Sequence, residues 1–252
     1  MSATGGALES LVASVVGPRP EETFGAYLLA RDEPGAELAR AVERAVFLES
    51  FGNTPEMLAS EYAPYEDSTV FACIIDHRRM LPVGMMRIVV PSPAGLKTLN
   101  DVESIWGQEI DDVIERTAIP MDLDRTWDVA TLAVMPDYRA KATGGLISMG
   151  LYQTLNLAAL RCGMEWLIAV FDVPVFRLLS EVLCMSFAGF TGIHARPYLG
   201  SPASLPAWCN IAEADRRISE TDPHLHAILF SGTGLETALR PVDVTRASQL
   251  VA

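Results

Sequence analysis

Between residues 134 and 146 the chain gathers the groups that could hold an anion. Arg139-Ala140-Lys141-Ala142-Thr143-Gly144-Gly145 is small and basic. Before it runs Trp127-Asp128-Val129-Ala130-Thr131-Leu132-Ala133-Val134, with the β-branched and apolar content of a buried strand. Pro136 and Asp137 break that strand. After it comes a long apolar run, Leu146 to Leu160, and Thr143 stands where a helix N-cap belongs. Strand, turn of small residues and helix start together aim backbone N–H groups at one point, where the helix dipole favours negative charge. The chemistry expected is phosphate binding by the backbone of Ala140 to Gly145, helped by Arg139 or Lys141.

The remaining elements must carry that cradle. Ala26 to Ala30 reads as a first strand and Ala36 to Phe51 as an amphipathic helix, with Leu38, Val42, Ala45, Val46 and Leu48 on one face. Gly52-Asn53-Thr54-Pro55 ends it, and Thr54 caps a short helix from Pro55 to Tyr62. Thr69 to Ile75 and Val83 to Val90 form an antiparallel hairpin with His77 solvated at its tip. Leu96 to Thr117 is helical and acidic, with its charges expected on a solvated face. Met164 to Val170 is a buried strand, and Asp172 with Pro174 marks a helix from Val175 to Leu183. Strands follow at Phe187 to Phe190 and Leu205 to Ala212, with a turn-rich loop from His194 to Ser204 between them. Glu213 to Leu229 starts helical and is interrupted at Pro223; the rest reads as a polar tail. Residues 1–20, rich in Gly, Ala, Ser and Pro, are expected to be a loose tail, and 21–252 one domain with a C-terminal extension from about residue 213. The fold class is α/β (α+β), with a mixed sheet.

Composition bounds the function. Half of the 252 residues are hydrophobic, enough for a sizeable core, and the formal charge of −13 disfavours nucleic acid as a partner. The same charge favours a cationic small substrate and disfavours an acidic carrier protein. Cys73, Cys162, Cys184 and Cys209 are scattered singly and read as buried thiols. His224 and His226 lack a third ligand, so no metal centre is expected. No apolar run is long enough to span a membrane and no signal peptide is evident, so a cytoplasmic protein is expected. The oligomeric state is left open.

Val134-Met135-Pro136-Asp137-Tyr138-Arg139-Ala140-Lys141-Ala142-Thr143-Gly144 resembles the acyl-CoA motif of the GCN5-related N-acetyltransferase superfamily, Arg/Gln-x-x-Gly-x-Gly/Ala. Arg139 and Gly144 match; Ala142 and Ala140 stand where glycines are usual. Val83-Gly84-Met85-Met86 in the hairpin and Ala188-Gly189-Phe190 downstream extend the likeness to about residues 26–212. The Trp127–Val134 strand is also similar to that of acyl-homoserine-lactone synthases and long-chain N-acyl amino acid synthases, which carry an acidic residue at the Asp128 position. They usually carry a basic residue where this chain has Thr131.

The resemblance implies a GNAT-like, mostly antiparallel central sheet flanked by helices, and an N-acyltransferase that moves an acyl group from acyl-CoA to the amine of a small molecule by direct attack. It implies that a splay or bulge in the central strand frees a backbone N–H near Leu132, Ala133 or Val134 to polarise the thioester. Asp128 is then a candidate general base, or else a strand-end carboxylate holding backbone. The family's tyrosine acid would fall at Met185; Ser186 is the candidate hydroxyl beside it, together with Cys184. Met85, Met86, Met149, Met164 and Met185 fit either a long-chain tunnel or ordinary core. The alternatives are an acyl-carrier-protein-dependent synthase of N-acyl amino acids or lactones, and an inactive acyl-CoA-binding module.

Overall fold

The computed structural model describes residues 3–18, 20–183 and 185–250. Its helices are α1 (Ala3–Val16), α2 (Ala36–Phe51), α3 (Pro55–Tyr62), α4 (Lys97–Ser104), α5 (Ile110–Thr117), α6 (Ala140–Thr143), α7 (Leu146–Arg161), α8 (Val173–Arg177), α9 (Ile211–Thr221), α10 (Pro223–Ser231) and α11 (Ala247–Leu250). Its strands are β1 (Phe24–Ala30), β2 (Thr69–Asp76), β3 (Leu81–Val89), β4 (Thr126–Val134), β5 (Trp166–Asp172), β6 (Ala188–Gly189), β7 (Arg196–Tyr198), β8 (Ser201–Asn210) and β9 (Leu239–Arg240). The nine strands form one sheet, ordered β6-β8-β5-β4-β3-β2-β1-β9, with β7 paired to β8. Among the described residues only β4–β5 and β1–β9 are parallel. This is the mixed, mostly antiparallel α/β arrangement expected.

Both faces of the sheet are covered. Strand β2 shows why: it is buried along its whole length, and its side chains alternate between two cores. Val70, Ala72 and Ile74 pack toward α7, whereas Phe71, Cys73 and Ile75 pack toward α2. Gly84 of β3 lets α7 approach closely, because a Cβ there would meet Ile147 Cγ2 at 2.5 Å. Burial pushes the thiols of Cys73 and Cys209 up to about 12, so both are inert core residues. Cys184 lies outside the described residues.

The punctuation between elements works as its residue types dictate. Gly52 ends α2 in the left-handed conformation at φ 72°, and Thr54 accepts the Met57 N–H to cap α3. Asp222 caps α10, whose first turn contains Pro223.

Several expectations are corrected. Residues 3–16 form α1 instead of a loose tail, with Val12 and Val16 buried against the α2 core. The polar tail contributes β9, whose Leu239 is fully buried and which extends the sheet beside β1. The acidic stretch 96–117 is two helices split at Gly107, and Asp101 is buried, not solvated. The loop 194–204 contains β7 and the start of β8, while the strand expected at 187–190 shrinks to β6. His77 is half-buried: its Nδ1 contacts Glu22 O at 2.9 Å and its Nε2 the Tyr27 hydroxyl at 2.8 Å. His226 pairs with Asp215 at 2.6 Å, and no cluster of metal-ligating residues occurs among the described residues. No helix among them is long and apolar enough to cross a membrane.

Candidate active site

The site is built on a separation of two parallel strands. β4 and β5 pair over three residues only, Thr126↔Trp166, Trp127↔Leu167 and Asp128↔Ile168. Beyond Asp128 they part, and β5 continues against β8 as far as Asp172↔Ser204. The other edge of β4 stays with β3, interrupted once. Arg87 faces Thr131 and Ile88 faces Val129, so Ala130 is an extra residue. That is a β-bulge, which adds local twist and turns β4 away from β5. A bulge was expected nearer to Leu132–Val134; it lies just upstream.

The gap exposes polar backbone. The Met135 N–H donates to Val83 O at 2.9 Å, toward β3. N–H directions alternate along an antiparallel ladder, so Ala133 also points to β3, and Leu132 and Val134 point into the gap. Of the three expected N–H groups, Leu132 and Val134 are therefore available and Ala133 is not.

The cradle lies at the end of the same strand. Ala140, Lys141, Ala142 and Gly144 are exposed, and Thr143 and Gly145 half-exposed. The N–H groups of Ala142, Thr143 and Gly144 close the turn of α6 onto Arg139 and Ala140. Gly144 and Gly145 follow in the left-handed region, at φ 61° and 86°, with open space where a Cβ would stand. They swing the chain into α7, whose N-cap is Gly145 rather than Thr143; the Thr143 hydroxyl donates instead to Tyr138 O at 2.9 Å. The first intrahelical bond of α7 comes from Met149 to Gly145 O. The N–H groups of Leu146, Ile147 and Ser148 are thus the orphan donors of this helix start. The donor set is displaced from residues 140–145 toward 145–148, and alanine at 140 and 142 costs it nothing. Arg139 stands over the strand end, its guanidinium donating to Val134 O at 3.3 Å and to the Ser50 hydroxyl at 3.2 Å.

Behind the cradle the hairpin acts as a brace. Asp76 accepts the N–H groups of Arg78 and Arg79 and the Tyr138 hydroxyl, each at 2.9 Å. Arg79 donates to the same hydroxyl and lies over the Tyr138 ring.

A cavity of about 170 Å³ runs through the strand gap from one face of the sheet to the other. On the α7 face its wall is Leu132, Tyr152, Leu155, Phe171, Leu179 and Met185, all within one apolar core. Burial pushes the Tyr152 phenol up to about 12. On the opposite face Phe47, Phe51, Tyr62 and Tyr198 form an aromatic wall, with Thr131, Asp172, Ser201 and Ser204 among them. Met86 and Met185 line this cavity, whereas Met85 is buried in the α2 core and Met149 and Met164 are partly buried against the α7 core.

Under the aromatic wall lie two buried charge clusters. Arg87 holds Glu43 through two hydrogen bonds, Nε–Oε1 at 3.0 Å and Nη2–Oε2 at 2.7 Å, and reaches Glu66 at 3.0 Å. Thr131 donates to Glu43 at 2.6 Å. Lys97 contacts Glu61, Asp101 and the Tyr198 hydroxyl, each at 2.7 Å. Tyr198 in turn donates to Asp101 at 2.6 Å. Burial works against the Lys97 charge, but Asp101 and Glu61 outweigh it and raise its pKa.

The other two side chains singled out from the sequence are not on the cavity wall. Asp128 is fully buried, and its two oxygens accept the N–H and hydroxyl of Thr98, fastening the start of α4 to the sheet. Burial pushes its pKa up to about 7, against the pull of those bonds. This geometry fits the backbone-holding alternative. The Ser186 hydroxyl is buried without a hydrogen-bond partner among the described residues, and its neighbours Met185 and Phe187 line the cavity in its place. Sequence reasoning missed Tyr152, hidden in an apolar helix, and took Asp172 only as the marker of a helix start.

No protein-family model matches the chain, and no curated protein matches its sequence. Solved structures do match its fold. FeeM, an N-acyl amino acid synthase from uncultured soil microbes, superposes with a TM-score of 0.56 at 13% identity, covering 79% of this chain and 98% of that one. A CoA-dependent acyl-homoserine lactone synthase, BjaI, solved with SAM and isopentyl-CoA, gives 0.50 at 13% identity, covering 89% and 98%. The chain has the fold of these acyl synthases, the GNAT-like architecture that its central motif implies.

Proposed function

We propose that the protein is an N-acyltransferase that moves an acyl group from acyl-CoA to the amine of a small molecule. The observation that carries this reading is the continuity of three features along β4. The gap holds free N–H groups at Leu132 and Val134, a cradle of orphan N–H groups and Arg139 lies at the strand end, and an apolar half-cavity opens on the α7 face. Pyrophosphate fits the start of α7, pantetheine the strand gap, and the acyl chain the apolar half.

In the reaction the amine nitrogen, having lost one proton to solvent, attacks the thioester carbonyl. The Leu132 N–H steadies the oxygen as it becomes anionic. The C–S bond then breaks, the nitrogen releases its second proton, and the thiolate takes one up, for a net release of one proton. Tyr152, kept protonated by its raised pKa, donates a hydrogen bond to the departing sulfur in place of the tyrosine absent at Met185. Asp128 serves as a clamp on α4 and not as the base.

The test is calorimetry with acetyl-CoA, a long-chain acyl-CoA and an acylated carrier protein, followed by thiol release over a panel of amines. Binding of acyl-CoA with amine-dependent thiol release is the expected result. Binding without release supports the alternative of an acyl-CoA-binding module. Preference for the carrier protein supports the carrier-dependent synthase. Absence of binding to any donor overturns all three.

A further inference from the structure

Asp172 holds an unusual position. It is the N-cap residue of α8, where an aspartate ordinarily accepts N–H groups of the first turn, yet its side chain makes no capping bond. It lines the cavity instead, on the same face of β5 as Val170 and opposite to Phe171. Its one hydrogen bond comes from the Ser204 hydroxyl to Oδ1 at 3.2 Å, and no salt bridge reaches it among the described residues. A carboxylate that forgoes its cap to face a space lined by aromatic rings and by the neutral side chains of Thr131, Ser201 and Ser204 lacks a cationic partner.

The cavity supplies none. Among the described residues no Lys, Arg or His lines it. The cations stacked behind the aromatic wall on Tyr62 and Tyr198 are already spent, Arg87 on Glu43 and Glu66 and Lys97 on Glu61 and Asp101. A ligand carboxylate on this side of the gap would meet Asp172 with no compensating charge, a costly arrangement at low dielectric.

We propose, resting on the acyltransferase reading, that Asp172 and Ser204 bind the ammonium of the acceptor, and that the acceptor is an amine with an apolar or aromatic body and no carboxylate beside the nitrogen. Phe47, Phe51, Tyr62 and Tyr198 enclose its body, and the gap at Leu132 presents the thioester to its nitrogen. The protein is thereby set apart from a synthase of N-acyl amino acids, despite sharing that fold.

The experiment uses matched pairs that differ by one carboxylate: 2-phenylethylamine against phenylalanine, tyramine against tyrosine, and isoamylamine against leucine. Binding is measured by calorimetry on the full chain holding acyl-CoA or CoA, and turnover by thiol release. Each amine is expected to bind at least about tenfold better than its amino acid, since the carboxylate of the latter has no partner. Asp172→Asn is expected to raise the amine Kd and KM by about ten- to a hundredfold while leaving acyl-CoA affinity within twofold, with Asp172→Glu recovering part of the loss. Preference for the amino acids, an unchanged amine Kd in Asp172→Asn, or no amine binding by protein that binds acyl-CoA would each overturn the proposal. Failure of the wild-type protein to bind acyl-CoA would instead remove the reading beneath it.

Discussion

The molecule keeps charge in two contrasting settings. At the start of α7 it is exposed: Arg139 and Lys141 stand in solvent beside orphan N–H groups. Under the aromatic wall Glu43, Arg87 and Lys97 are almost fully buried, and each is matched to a partner at hydrogen-bond distance. An exposed charge keeps its hydration and can exchange it for a ligand at small cost. A buried charge is committed to its neighbour, because separating the two in a poor dielectric is expensive. The first region can therefore recruit, whereas the second can only hold β3, α2 and α4 in position around the gap. Asp172 stands between these cases, half-buried and without a cation among the described residues, which is why a ligand role is proposed for it.

The sharpest way to break the contrast is Glu43→Ala, which leaves Arg87 buried with only the half-exposed Glu66 as partner. A stability loss of about 3–5 kcal/mol in urea unfolding is expected, and a loss below about 1 kcal/mol would show the cluster to be dispensable. Next is Tyr152→Phe, which removes a phenol from the cavity wall without altering its packing. Its expected signature is a kcat lower by about a hundredfold with acyl-CoA affinity retained; an unchanged kcat would leave departure of the thiolate to solvent. Arg139→Ala tests the exposed side. CoA affinity should fall about tenfold, the loss should shrink as salt rises, and unfolding free energy should move by less than about 0.5 kcal/mol.

A pH-dependent effect concerns Asp128. Its pKa in the folded chain, about 7, is above the usual carboxylate value, so the native state binds this proton more tightly than the unfolded chain does. Its contribution is therefore present at low pH and is lost as pH rises from about 4 through about 7. Asp128→Asn should flatten that decline when urea midpoints at pH 5.5 and 8 are compared; an identical slope in both proteins would place the titration elsewhere.

Much of this was legible from local signals. The limits of α2 and α3 follow from Gly52, Thr54 and Pro55, which act within a few residues of themselves. The candidate cradle could be proposed because strand, turn and helix start are consecutive, although the orphan N–H groups of the helix start lie a few residues further on than the basic run suggests. What stayed hidden depends on partners distant in sequence. The bulge at Ala130 exists only in register with β3. Lys97 and Asp101 look like an ordinary solvated i,i+4 pair until Tyr198, a hundred residues on, closes over them. Asp172 before Val173-Pro174 reads as a helix cap, and only the tertiary structure turns its carboxylate into the cavity.

The three-residue junction between β4 and β5 has a mechanical consequence. Strands β1 to β4 with β9 form one slab, and β5 to β8 another, joined in the plane of the sheet, among the described residues, by the Thr126–Asp128 rungs alone. A sheet interrupted in this way transmits strain poorly along its plane, so each slab is free to settle its own packing. A ligand that hydrogen-bonds to both strands in the gap, as proposed for the donor, would replace the missing rungs and couple the slabs. Under the proposed function, protein and bound donor together make a stiffer body than the protein alone, and donor binding adds to the cooperativity of the fold.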